Sequence, residues 1–94
     1  MVIFKWTLSA NAKQTLQMPA GAKLLTVQVQ NNIPRLWALC DETAQKMPRI
    51  IEIHGTGNRM PDDWHGEYVA TFQVDNGSFI FHVFDVTEPH GPHE

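Results

Sequence analysis

The sequence predicts an all-β domain: a small antiparallel β-sandwich or partly open barrel of six to seven strands, with at most one short helical turn. Three observations carry this. Apolar residues recur at every second position in nearly every segment, the spacing that lines one face of a strand. Asn76-Gly77 and Asn31-Asn32 each separate two alternating runs, where a tight hairpin needs residues that tolerate positive φ. Hydrophobic content of 43% against 18% charged residues belongs to a folded globule rather than a disordered segment.

In the opening segment Val2, Phe4, Trp6 and Leu8 share one face, with Lys5 and Thr7 on the other. Ser9 to Lys13 reads as a turn and Thr15 to Met18 as a short strand, broken by Pro19-Ala20-Gly21. Lys23 to Cys40 reads as a hairpin in which Leu25, Val27 and Val29 alternate with polar residues. A two-residue turn at Asn31-Asn32 pairs Gln30 with Ile33, Val29 with Pro34, Gln28 with Arg35, Val27 with Leu36 and Thr26 with Trp37. Val29 and Pro34 then form a non-hydrogen-bonded pair, so this partner does not need the N–H that proline lacks.

Asp41 to Pro48 is polar and ends in a proline, leaving room for one helical turn but no stable helix. Arg49 to His54 resumes the strand, with Ile51 and Ile53 inward and Ile50, Glu52 and His54 opposite. A long loop, Gly55 to Gly66, leads to the last hairpin. There Tyr68, Ala70, Phe72 and Val74 share a face, pairing Val74 with Phe79, Phe72 with Phe81 and Ala70 with Val83. The other face carries Gln73–Ile80, Thr71–His82 and Val69–Phe84. Ile80, Val69 and Phe84 are too apolar for open solvent, as are Leu24, Leu39 and Trp37 outside the first hairpin. Another layer or a second subunit should cover them, and a homo-oligomer is expected. Residues 1–86 read as one domain and 87–94 as a disordered tail.

A chain of 94 residues buries about 60–65% of its unfolded surface, so its stability margin is small. A net charge of −3 offers no basic footprint for duplex nucleic acid. The lone Cys40, in an apolar run, reads as a small buried hydrophobe. No stretch approaches the roughly 18–20 apolar residues of a membrane span. The N-terminus lacks the basic and apolar regions of a signal peptide, so a cytoplasmic protein is expected.

Several stretches resemble a family of short, functionally uncharacterised bacteriophage and prophage proteins. They are Met18-Pro-Ala-Gly-Ala-Lys-Leu-Leu-Thr-Val-Gln-Val-Gln30, Leu36-Trp-Ala-Leu39, His54-Gly-Thr-Gly57, Thr71-Phe-Gln73 and Phe79-Ile-Phe-His-Val-Phe84. The similarity spans roughly residues 1 to 86, and the order of the pieces carries it more than any single piece. Asp62-Asp-Trp-His65 and the histidine-containing tail depart from the family's pattern. The resemblance implies a phage context, hence the host cytoplasm, and brings no established activity or catalytic residues.

Two neighbouring stretches form the candidate binding surface. In His54-Gly-Thr-Gly-Asn-Arg59 the glycines permit close backbone approach, Gly57 centrally. Thr56 and Asn58 add donors, and Arg59 supplies charge for a phosphate or carboxylate. The alternative is a turn that uses glycine to leave a strand. Trp64, His65 and Tyr68 follow; a loop tryptophan can stack on a base or anchor a partner, or fold down to cap the barrel end. A loop of roughly twelve residues exceeds a routine connection. Arg35 and Trp37, and also Arg49, are expected to contribute from neighbouring strands.

No metal or other cofactor is expected. The five histidines lack the spacing and cysteine partners of a zinc site, and Asp62, Asp63 and His65 read better as a solvated acidic turn. No nucleophile, base and orienter can be assembled, and His82 beside Thr71 reads as a satisfied histidine on a sheet face. The function expected is that of a non-catalytic binding protein holding a small anionic ligand, a host nucleotide signal being the leading candidate. A protein–protein inhibitor of a host defence factor is the alternative, and a small hydrolase comes third.

Overall fold

The computed structural model describes residues 1–88. Their elements, in chain order, are the strands β1 (Val2–Thr7), β2 (Lys13–Pro19), β3 (Lys23–Gln30), β4 (Ile33–Cys40), β5 (Lys46–Gly55), β6 (Glu67–Val74) and β7 (Phe79–Asp85). All pairings are antiparallel, and among the described residues there is no helix. One sheet has the order β1-β4-β3 and the other β2-β5-β7-β6. They form a sandwich, with no ladder closing a barrel. No helix among the described residues is long and apolar enough to cross a membrane.

Period-two patterning produces the core directly. Val27, Leu36, Ala38 and Cys40 of the three-stranded sheet meet Met18, Ile51, Ala70, Phe72 and Val83 of the four-stranded one. Alternate residues along each strand point to one face, so each sheet contributes one apolar side to this layer. Cys40 is fully buried, its thiol 3.4 Å from the Ala38 carbonyl.

Both hairpin turns adopt the left-handed backbone their residues favour, with positive φ at Asn31, Asn32, Asp75, Asn76 and Gly77. All five predicted pairs of the first hairpin are present, Val29–Pro34 included. The tips are joined: the Asp75 N–H donates to Asn32 Oδ1 at 2.9 Å.

Three expectations are corrected. The segment Asp41 to Pro48 is not a loop to its end, because β5 begins at Lys46 and Pro48 pairs with Gln17. The Ile50 N–H points toward the β7 side, to Thr87 Oγ1 at 2.8 Å. Two residues earlier on the same side, Pro48 therefore faces space beyond the end of β7, where no ladder needs its N–H. In the second hairpin Val69 does not oppose Phe84. A bulge between Tyr68 and Ala70 places Tyr68 there, and Val69 packs on the core instead. A matching irregularity between Leu24 and Thr26 turns Leu24 onto the core and leaves Leu25 40% exposed. One extra residue inverts a strand's in–out pattern locally.

The two bulges lie side by side, because β3 runs beside β6 where one edge of each sheet meets. At the opposite seam the Trp6 Nε1–H donates to the Gln17 carbonyl at 3.2 Å. One end of the sandwich is plugged by Arg49, whose guanidinium donates to Asp85 Oδ2 at 2.6 Å and to the Ala22 carbonyl at 2.7 Å. Burial disfavours the charged Asp85, but hydrogen bonds from Thr87 and Arg49 outweigh it and hold this carboxyl below its ordinary range. Thr87 thus bonds to both Ile50 and Asp85, whereas residues 89–94 of the expected tail lie outside the described residues.

Candidate functional site

The outer face of the four-stranded sheet gathers four of the predicted residues, His54, Thr56, Trp64 and Tyr68. Its register aligns Glu52, Phe84 and Tyr68 in one row across β5, β7 and β6, and His54, His82 and Thr71 in the next. These side chains alternate with Ile51, Ile53 and Val83, which face the core, so they point away from it.

The loop after β5 folds back over this face. It leaves the strand through a turn closed by the Asn58 N–H on the Gly55 carbonyl, 3.1 Å, with Gly57 at φ 88°. A second turn, Trp64 N–H to the Pro61 carbonyl at 3.0 Å, delivers Trp64 onto the sheet. Gly66 makes room for it, since a methyl group there would come within 2.9 Å of two indole ring carbons. The indole meets the Phe84 ring edge-on at 4.8 Å between centroids and the His54 ring at 5.4 Å. Tyr68 touches Phe84 from the far side at 5.9 Å and is itself 59% exposed. Edge-to-face contacts of this kind suit the quadrupoles of the rings.

Glu52 ties the cluster to the sheet. Its Oε1 accepts from Trp64 Nε1–H at 2.9 Å and lies 2.8 Å from His54 Nε2. Burial opposes ionisation of Glu52, yet the hydrogen bonds from Trp64 and His54 prevail and keep its carboxyl below the ordinary value of 4.5.

Beside the aromatic cluster runs a chain of polar groups. Tyr68 Oη lies 2.8 Å from Thr71 Oγ1, which lies 3.0 Å from His82 Nδ1. His82 Nε2 lies 2.8 Å from Thr56 Oγ1, which reaches the Ile80 carbonyl at 3.5 Å. The row runs from Tyr68 through Thr71 and His82 to Thr56, or in reverse, each hydroxyl accepting from one neighbour and donating to the next, with the tautomer of the ring setting the direction. Both ring nitrogens meet hydroxyls and neither meets a carboxylate, an arrangement that fixes the ring.

His54, Thr56, Trp64 and Tyr68 therefore share one face, with Gly57, Asn58 and Arg59 in the loop at its margin. The Thr56 and Asn58 N–H groups already donate, to the Ile80 and Gly55 carbonyls, which favours the turn over a backbone cradle for an anion. Asn58 and Arg59 remain exposed, and a hollow of about 330 Å³ opens between this turn and residues 78–81. Arg35 and Trp37 stand elsewhere. They lie on the outer face of the three-stranded sheet, opposite Thr7 and Lys5, where the Arg35 guanidinium donates to Thr7 Oγ1. Alternation puts them outside Leu36 and Ala38, so the whole sandwich separates them from Trp64. Arg49 is held in the end plug. Among the described residues no group of three potential metal-ligating side chains comes together.

Glu52 and Gly66 were not legible as site residues. Only the i, i+2 spacing of Glu52 and His54 on one strand face hinted at the first, and nothing marked the second. Among known proteins, no curated sequence and no solved structure matches this chain. A family model matches it over residues 1–94, and the chain belongs to that family, a domain of unknown function (DUF7352).

Proposed function

We propose that this protein is a non-catalytic binding domain that holds a small, ring-bearing anion on the β5–β7–β6 face. The observation that carries this reading is the juxtaposition of the Trp64–His54–Phe84–Tyr68 cluster with the Thr56–His82–Thr71 row. An aromatic ledge beside a row of hydroxyls, whose oxygens keep lone pairs to accept, suits a base and its sugar, with the exposed Arg59 on the adjoining loop to meet phosphate. His82 speaks for binding rather than turnover, because a hydroxyl occupies each ring nitrogen and no carboxylate orients the ring as a base. The resemblance to phage proteins supports the finer reading, sequestration of a host nucleotide messenger in the host cytoplasm as a counter-defence. Self-association would cover the exposed Ile80 and Phe79 beside this face.

The test is retention. The protein is incubated with cyclic mono-, di- and trinucleotide messengers, desalted and denatured, and the released ligand is identified by mass. Intact ligand in stoichiometric amount, lost in Trp64→Ala and Arg59→Ala, is the expected result. No retention of any messenger overturns the reading, and a cleaved ligand replaces it with hydrolysis.

A second reading rests on β1, an edge strand with Ile3 59% and Phe4 43% exposed, which fits a protein partner that adds a strand there. Co-purification with a host protein that is lost in Ile3→Lys but kept in Trp64→Ala would favour it.

A further inference from the structure

The end of the sandwich opposite the Arg49–Asp85 plug opens into a cleft of about 350 Å³ between the two sheets. Leu8 and Pro34 wall it on one side, and Ile53, Phe72, Val74 and Phe81 on the other. The two phenyl rings lie 5.5 Å apart, and Phe72 is only 7% exposed, so the cleft reaches the core layer itself. Apolar clefts of 300–1,000 Å³ with a few convergent polar groups are the usual form of small-molecule sites.

Two polar side chains stand at the mouth, Asn32 and Ser9, and each has a hydrogen left to donate. Asn32 lines the cleft, and its Oδ1 accepts the Asp75 N–H, which can only be met by an acceptor. That bond sets the amide's orientation and leaves the Nδ2 hydrogens as donors. Ser9 also lines the mouth; its Oγ accepts from the Asn11 N–H at 3.3 Å, leaving its own hydrogen to donate. No charged residue lines the cleft.

From this we infer a second binding site, for a neutral, mostly apolar small molecule that carries one hydrogen-bond acceptor, such as a ketone, ester or amide. A dry apolar cavity of about 150 Å³ accommodates benzene, so this cleft takes a body of about two fused rings or the equivalent chain. A phosphate or carboxylate would enter without a cation to meet it, which sets this ligand class apart from the one proposed for the Trp64 face. The latch between Asn32 and Asp75 joins the two hairpin tips beside the cleft and holds Asn32 at its edge.

The probe is 2-acetylnaphthalene, a neutral two-ring ketone, titrated into ¹⁵N-labelled protein and followed by amide chemical shifts. Saturable one-to-one shifts at Ala10, Ile33, Phe72 and Val74 are expected, with those of Trp64 and Tyr68 unmoved. Naphthalene, lacking the acceptor, should bind about tenfold more weakly, a difference one hydrogen bond readily supplies. Val74→Trp fills the cleft and should abolish the shifts. Asn32→Asp keeps the acceptor for Asp75 N–H, so the latch survives, and replaces the donors with a carboxylate; it should weaken the ketone about tenfold or more. The inference is overturned if wild-type protein shows no saturable shifts, if they map to another face, or if Val74→Trp binds as well as wild type. Shifts at the same residues that change on simple dilution would assign the cleft to a second copy of the chain and overturn it equally. Retention of a nucleotide bears on neither result.

Discussion

Trp64 is bonded to Glu52: a tryptophan at the far end of an eleven-residue excursion from β5 returns to donate its Nε1–H, at 2.9 Å, to a carboxylate on that strand. The bond settles where the loop lies and turns the outer sheet face into an aromatic surface. A charge-assisted hydrogen bond of this kind contributes about 1.5–3 kcal/mol. Trp64→Phe keeps the ring contact with Phe84 and removes the donor, so it should destabilise by about 1–2 kcal/mol in urea unfolding. Glu52→Gln retains an acceptor and should cost less. The double variant should cost less than the sum of the two, as one shared bond requires.

Gly66→Ala should act on the same bond without touching either partner. The added methyl meets the indole at 2.9 Å, so Trp64 must move off the sheet. Its fluorescence should shift to the red and its acrylamide quenching rise, while circular dichroism stays that of a β protein.

The end plug is a largely buried ion pair, with side-chain exposures of 19% for Arg49 and 9% for Asp85. Removing one partner strands the other, which costs about 3–5 kcal/mol at such sites. Asp85→Asn and Arg49→Met should each lower the midpoint of thermal unfolding by more than ten degrees, given about 4–8 °C per kcal/mol in a domain of this size. Arg49→Met with Asp85→Leu should recover part of the loss, because no charge is then left unpaired.

Acid should destabilise the fold through Asp85 and Glu52. Both have carboxyls held below their ordinary values of 3.8 and 4.5 in the folded state. Their contribution is complete above those values and is lost as pH falls through the lower folded ones. Unfolding free energy should therefore fall from about pH 4.5 downward, with Asp85→Asn and Glu52→Gln each showing a shallower fall than wild type.

The bulge gives an unusual pattern along β6. Val69→Asp places a charge against the core and should destabilise by about 2–4 kcal/mol. Tyr68→Ala removes a 59% exposed ring and should stay within about 1 kcal/mol. Simple alternation through Ala70 and Phe72 predicts the reverse order, so the pair of variants tests the bulge directly.

What the residues determined alone was local: strands from two-residue periodicity, reversals from Asn31-Asn32 and Asn76-Gly77, and the hairpin registers counted outward from those turns. Such pairings need only neighbouring chain and pleat geometry, so they held until an extra residue entered the strand. The bulges at Leu25 and Val69 were invisible because they lie where β3 meets β6 from more than forty residues away, a contact that neither hairpin's own residues encode. The same is true of the site. His54, Thr56, Trp64 and Tyr68 lie close in sequence and were readable as a group, whereas Glu52, Gly66 and the join from Thr56 to His82 depend on how the loop lands on the sheet. Arg35 and Trp37 shared the right chemistry but belong to the other layer, and only the packing of two sheets around one apolar core assigns a residue to a layer.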